Sequence, residues 1–457
     1  MKFLRLLLCF LLSASGALWA APPNILVILV DDLGYGDLSC MGAKDLKSPH
    51  VDRLASEGVV LDSFYANCPV CTPTRAALLT GRYPDRVGAP GVIRTHPESN
   101  FGWLAPSATL IPTPLKAAGY RTAIIGKWHL GLEAPNTPMD RGFDHFHGFL
   151  GDMMDDYYTH QRHGIDYMYL DRELIHPEGH ATDLFSNWAS EYVRKGKDRD
   201  QPWFLYLAYN APHTPIQPPE EWTAKVLERE PGIDEKRAKL VALIEHMDEG
   251  IGKVLATIDA TGQREETLVI FTSDNGGQGN VGGNNGAHRG AKQDMYEGGI
   301  KVPFCARWPG RITAGSKSSV RGITMDLFPT VLEAAGAGVD ADLHAGIEGR
   351  SILASLTGTS QPEFAERDLF WVRREGNMTY MGDSSWAMRR GPWKLVKNRP
   401  DGPWEMFNLE ADPLEKKDFL RGGPKPKEWH PMAAEMRKFI QIGGTVPWQK
   451  PDPFGEE

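Results

Sequence analysis

Residues 25–30 form an unbroken apolar, largely β-branched run that stops at Asp31-Asp32. A strand covered on both faces reads this way, because both alternating sets of side chains meet apolar neighbours. The pattern recurs: residues 121–126 lead into Lys127-Trp128-His129, 203–209 into Asn210-Ala211-Pro212-His213, and 268–272 into Ser273-Asp274-Asn275. Each strand delivers polar residues just past its end, where open α/β sheets place their ligands. Between the runs, helical periodicity covers 48–58, 110–119, 238–260 and 325–336, several of these segments closed by glycine. Such alternation predicts a large, mostly parallel sheet sandwiched by helices. Beyond about residue 336 the pattern shortens to alternating segments around Trp371-Val372, 386–389, 393–396 and 405–408. These predict a smaller antiparallel α+β domain, giving a division into residues 22–340 and 341–457.

Composition narrows the setting. The chain has 457 residues and a formal charge of -9, which argues against a nucleic-acid binder, and no long Lys/Arg run could track phosphates. Met1-Lys2-Phe3-Leu4-Arg5, an apolar stretch and then small residues read as a secretory signal over residues 1–21, cut after Ala17, Ala20 or Ala21. No segment is long and apolar enough to predict a membrane span. Export usually brings disulfides, yet only Cys40, Cys68, Cys71 and Cys305 follow the signal, so few or no bridges are expected. A single Asn-x-Thr sequon, at Asn377, favours a bacterial periplasmic or secreted protein over a lysosomal one.

Two groups of residues carry chemistry. Asp31, Asp32, Asp274 and Asn275 offer only oxygen ligands from two strand ends, a set that suits calcium better than the more demanding magnesium. Zinc is disfavoured because no His or Cys accompanies them in the sequence. The second group is Cys71-Thr72-Pro73-Thr74-Arg75, continued by Thr80-Gly81-Arg82. Pro73 after Thr72 predicts a helix start with Thr72 as its cap, placing Cys71 at a positive helix end that favours an anion. Cys68 and Cys71 also read as a Cys-x-x-Cys redox pair or half a zinc site, but no second cysteine pair is present.

The Cys71 segment resembles the signature at which sulfatases convert cysteine into the aldehyde formylglycine. Similarity extends to Val30-Asp31-Asp32-Leu33-Gly34-Tyr35-Gly36-Asp37, Ser48-Pro49-His50-Val51-Asp52, Gly126-Lys127-Trp128-His129-Leu130-Gly131, Ser273-Asp274-Asn275-Gly276 and Tyr296-Glu297-Gly298-Gly299. It continues to Trp393-Lys394-Leu395 and Asn408-Leu409-Glu410-Ala411-Asp412-Pro413, and so covers nearly the whole mature chain. One departure is Thr74, where the family most often has serine.

The resemblance implies an alkaline phosphatase-like fold and hydrolysis of sulfate esters, on a glycan or amino sugar in the arylsulfatase and N-acetylgalactosamine-6-sulfatase branch. It implies one calcium ion on Asp31, Asp32, Asp274 and Asn275, completed by an oxygen of modified Cys71. Arg75 and Lys127 match residues that hold the aldehyde hydrate, His129 the base that collapses it, and His213 and Lys292 the pair facing sulfate and leaving oxygen. One hydroxyl of a hydrated aldehyde can attack sulfur while the other later re-forms the carbonyl, releasing sulfate. A formylglycine-generating or anaerobic sulfatase-maturating enzyme is the implied partner. Residues 151–163, mixing tyrosines, acids and bases, are expected near the pocket, where a sugar could stack. A phosphonate or phosphate ester hydrolase of the same superfamily and an unmodified glycan-binding pseudoenzyme are the alternatives.

Overall fold

The computed structural model describes residues 22–96, 99–197, 200–376 and 382–443. The signal segment and the Asn377 sequon lie outside them. The ten-stranded main sheet runs Ser316–Ser318, Val59–Leu61, Phe304–Arg307, Thr267–Ser273, Asn24–Val30, Trp203–Ala208, Arg121–Lys127, His145–Phe149, Met168–Leu170, Glu173–Leu174. The five strands from Thr267–Ser273 to His145–Phe149 are mutually parallel, while antiparallel pairings appear toward both edges.

Alternation explains why the central runs are apolar throughout. Ile25, Val27 and Leu29 enter one core with the helices Cys71–Thr80 and Leu327–Ala335; Leu26, Ile28 and Val30 enter the other with Ala181–Lys197 and Glu235–Ala260. Both faces are dry, so neither set of positions tolerates polar residues. The register then fixes the site. Val30 pairs with Ser273, Leu29 with Ala208, and Ala208 with Gly126. Asp31, Asp274, Lys127 and the 210–213 turn therefore leave the sheet along one edge.

Leu369–Arg374, Ser384–Arg390, Trp393–Lys397 and Glu405–Asn408 form a separate antiparallel sheet, packed by the helix Trp429–Gly443. Its core also takes in Tyr65, Met295 and Ile300 from the larger unit. Cys68 donates its thiol to the Val372 carbonyl (3.4 Å), so the small sheet backs directly onto the turn that precedes Cys71. Cys40, Cys68, Cys71 and Cys305 are free, and among the described residues no helix is long and apolar enough to cross a membrane.

Candidate active site

The helix that carries Cys71 begins two residues earlier than expected. Cys71 is its first residue and extended Val70 flanks it, with no side-chain cap. Thr72 is not the cap because its hydroxyl is engaged elsewhere: it donates to the His129 carbonyl (3.2 Å) and accepts from the Ile93 N–H (3.1 Å). Pro73 falls in the first turn, where a missing N–H costs nothing. The Thr74 hydroxyl accepts from the Cys68 N–H and donates to the Cys68 carbonyl, both at 3.1 Å. A serine could do the same, so the departure at Thr74 is neutral in these contacts. Burial pushes the Cys71 thiol up to about 12, Lys127 opposing and Asp31 adding to it, so the unmodified thiol is neutral and a poor nucleophile near pH 7.

Carboxylate oxygens of Asp31, Asp32 and Asp274 lie within 4.8 Å of one another, all three residues buried. Each meets a cation. Lys127 Nζ is 2.5 Å from Asp31 Oδ2, Lys292 Nζ 2.7 Å from Asp32 Oδ2, and Arg75 Nη2 2.7 Å from Asp274 Oδ2. Burial alone would raise Asp31, but Lys127, then His213, Arg75 and Lys292, outweigh it and hold this carboxylate far below the usual range. Burial and the neighbouring Asp31 charge push Asp274 up to about 7 despite Arg75. Three carboxylates at such spacing cannot all ionise comfortably without more positive charge.

That missing charge has a place to sit. Asp31 Oδ1 and Asn275 Oδ1 are buried and accept no hydrogen bond, while Asn275 Nδ2 donates to Asp32 Oδ1 (2.7 Å). Unpaired buried oxygens are costly, and an all-oxygen set of three carboxylates and an amide fits a hard divalent cation such as calcium. The zinc argument changes in space, because Cys71 Sγ and a His213 nitrogen lie within 4.8 Å of an Asp31 oxygen.

Two histidines face this cluster with defined tautomers. His129 Nε2 donates to the Ile93 carbonyl (2.8 Å), leaving Nδ1 as the basic nitrogen, buried and unpartnered. Burial, Lys127 and Arg75 hold His129 well below the usual histidine value, so it stays neutral. His213 Nδ1 donates to the Thr214 carbonyl (2.7 Å), which turns Nε2 to within 3.7 Å of Asp32 Oδ2. Burial and Lys292 lower His213 as well. Asp32 (φ +69°) and His129 (φ +59°) sit in the left-handed region without being glycine, a strain that accumulates at functional sites.

All ten residues singled out from sequence thus converge on one buried pocket edge. The 151–163 segment does so differently than expected. Tyr157 is buried and its hydroxyl donates to the His213 carbonyl (2.9 Å), so it positions the histidine turn and cannot stack on a sugar. His160 is buried against the Gly179 carbonyl, whereas Tyr158 stays 45% exposed. The Ile93 carbonyl was missed and Thr72 and Tyr157 were given other roles, because each acts through a partner at least 21 positions away.

With this geometry in view, comparison with known proteins settles the family. The Sulfatase family model matches residues 23–337. The chain belongs to the sulfatase family. A second model, N-sulphoglucosamine sulphohydrolase C-terminal, matches residues 287–441 of this sulfatase. N-acetylgalactosamine-6-sulfatase of Mus musculus is 33% identical over 429 residues, 89% of this chain and 78% of that one. Steryl-sulfatase of Mus musculus is 32% identical over 435 residues, 74% of this chain and 66% of that one. Among solved structures, Ps i-CgsB in complex with k-i-k-neocarrahexaose superposes with a TM-score of 0.82 at 30% identity, covering 94% and 95% of the two chains. The protein is therefore a sulfuric ester hydrolase of the alkaline phosphatase superfamily.

Proposed function

We propose that this sulfatase desulfates a sulfated saccharide, with Cys71 as formylglycine and one calcium ion held by Asp31, Asp32, Asp274 and Asn275. The observation that carries the reading is the pair of buried, unpartnered oxygens, Asp31 Oδ1 and Asn275 Oδ1, beside a helix-terminal Cys71. Conversion of Cys71 would supply a geminal diol, and calcium when bound would supply the positive charge that activates it and binds a sulfate oxygen.

The remaining steps fall to the chain's own groups. Arg75 fixes Asp274 by two N–H bonds to one oxygen, at 2.7 and 3.1 Å, and Lys127 Nζ holds Asp31 by a single bond to Oδ2 (2.5 Å). Lys292 is kept protonated, because the Asp32 and Asp31 carboxylates outweigh the burial that disfavours its charge. Fixed ammonium groups aimed at sulfate oxygens and the departing alkoxide stabilise the transition state more than the ground state. His213 Nε2 is the atom aimed at the leaving oxygen, and it can hand over a proton only in the imidazolium form, which Asp32 and Asp31 favour against burial and Lys292. His129 Nδ1 is the atom placed to take a proton from Cys71 in its modified form.

Saccharide selectivity is supported by the similarity to N-acetylgalactosamine-6-sulfatase and to a structure solved with neocarrahexaose. Tyr158, 45% exposed, supplies an aromatic face for a sugar. The same reading includes export to the periplasm or medium, maturation by a formylglycine-forming enzyme and a domain division near residue 340.

The test is mass spectrometry of the tryptic peptide spanning residues 54–75, from protein made in its own host. An aldehyde at Cys71 that captures a hydrazine reagent, with Cys68 still a thiol, is expected. A uniform thiol at Cys71 removes the mechanism. A desulfation screen that finds turnover of aryl sulfates but of no sulfated saccharide removes the substrate assignment.

A further inference from the structure

A second cluster of metal-ligating groups lies outside the catalytic centre. His180 precedes the helix Ala181–Lys197, Asp183 sits in its first turn, and His246 lies midway along the helix Glu235–Ala260. A nitrogen of each histidine and an oxygen of Asp183 lie within 4.8 Å of one another. We infer that His180, Asp183 and His246 form a binding site for one borderline divalent cation of the zinc class.

Ligand chemistry supports this. Two imidazoles and a carboxylate are a common set for zinc and its neighbours, and unsuited to calcium, which takes oxygens. Metal–ligand bonds of about 2.0–2.1 Å in a tetrahedron put ligand atoms about 3.3 Å apart, so atoms that already lie within 4.8 Å of one another must draw together by at most about 1.5 Å.

Both histidines are prepared for it. His180 Nε2 donates to the Gln217 carbonyl (3.0 Å), which leaves Nδ1 as the lone-pair nitrogen, touched only by the Thr182 N–H at 3.2 Å. A ligating histidine typically donates its other N–H to such a carbonyl. His246 is 4% exposed; its Nε2 donates to Asp183 Oδ1 (2.9 Å), which leaves Nδ1 as the lone-pair nitrogen, buried with no partner. Nδ1 is thus the His246 atom open to an ion, whereas ligation through Nε2 would first displace its proton.

Access comes from the third member. The Asp183 side chain is 55% exposed, so an ion can enter from solvent and keep an open coordination position. The site adjoins the catalytic turn through Tyr157, whose ring stacks on His180 (centroids 4.9 Å) while its hydroxyl holds the His213 carbonyl.

The experiment titrates calcium-saturated enzyme with cobalt(II), followed by visible absorption, and with zinc, followed by equilibrium dialysis. Saturating calcium keeps the catalytic oxygens occupied. One ion per chain with the visible bands of low-coordinate cobalt is expected, with affinity falling about 10–100-fold in both His246→Gln and Asp183→Asn. Asp183→Asn alters an exposed side chain, so it carries the test if the buried His246→Gln fails to fold, and it should retain wild-type sulfatase turnover. Absence of cobalt bands, or binding that Asp183→Asn leaves unchanged, overturns the site.

Discussion

Two buried charge clusters sit on either side of the chain segment 292–297, and they are built on opposite terms. Around Lys394 every carboxylate oxygen lies against the ammonium or a donor, Glu415 Oε1 through the ion contact with Lys394 alone and no hydrogen bond. Lys394 Nζ lies 2.9 Å from Glu297 Oε1 and 2.8 Å from Glu415 Oε1, the Tyr65 hydroxyl donates to Glu297 Oε2 (2.8 Å), and the Glu297 N–H donates to Glu415 Oε2 (2.7 Å). Around Cys71, Asp31 Oδ1 and Asn275 Oδ1 are left unanswered. A closed network fixes the small sheet against the large one and has no vacancy for a ligand. An open one stores an unmet demand for positive charge, which is what a binding site is before its ligand arrives.

The sharpest way to break this contrast is to remove one residue from each cluster. Cys71→Ala is expected to lower turnover by about 10⁴-fold or more while moving the urea midpoint little, since it deletes the nucleophile and no buried charge. Lys394→Met should do the reverse. Leaving Glu297 and Glu415 buried without their cation costs about 3–5 kcal/mol, read as a lowered urea midpoint, with kcat/KM per folded molecule retained. An active Cys71→Ala enzyme, or a Lys394→Met enzyme of normal stability but no activity, would show that the two clusters have been assigned the wrong way round.

Metal binding sharpens the comparison through pH. Asp274 titrates near 7 in the metal-free chain, raised by burial and by Asp31. Its folded value exceeds its ordinary one, so its contribution to metal-free stability is complete below about pH 4 and is lost as pH rises through 7. Calcium needs the ionised form and displaces that proton. Its affinity should therefore weaken about tenfold per unit below pH 7. Thermal scans with and without a chelator should differ more at pH 8 than at pH 5, and equal differences would remove Asp274 as the titrating ligand.

The open cluster was far more legible in sequence than the closed one, for a physical reason. Asp31, Lys127, His213 and Asp274 each end an apolar run, and a parallel sheet brings such ends together whatever the helices do. Lys394 and Glu297 are 97 positions apart and Glu415 meets the Glu297 backbone across 118; Glu297 and Lys394 stand in segments that carry the family resemblance, but nothing local shows that they meet. The strand His145–Phe149 escaped notice because its outward histidines look polar. The fold half-buries them, stacking His147 on Trp188 at 3.4 Å between centroids. Thr72 read as a cap because capping is a local rule, and a tertiary hydrogen bond to His129 overrode it.

A third buried carboxylate tests the principle at its smallest scale, because it has neither ligand nor partner. Asp85 is fully buried, and neither of its oxygens accepts a hydrogen bond. The fit is tight at Gly443, where a Cβ would stand 2.1 Å from Asp85 Oδ2. Burial pushes it up to about 6, Arg86 opposing and Glu348 adding. Its folded value lies above the ordinary one, so the folded state loses stability as pH rises from about 4 through 6. A two-unit displacement corresponds to about 3 kcal/mol. Asp85→Asn, which removes the charge and keeps the shape, should raise unfolding free energy by about that amount at pH 7.5 and by nothing at pH 3, measured by urea denaturation. A gain of equal size at both pH values would mean that packing, not buried charge, limits stability there.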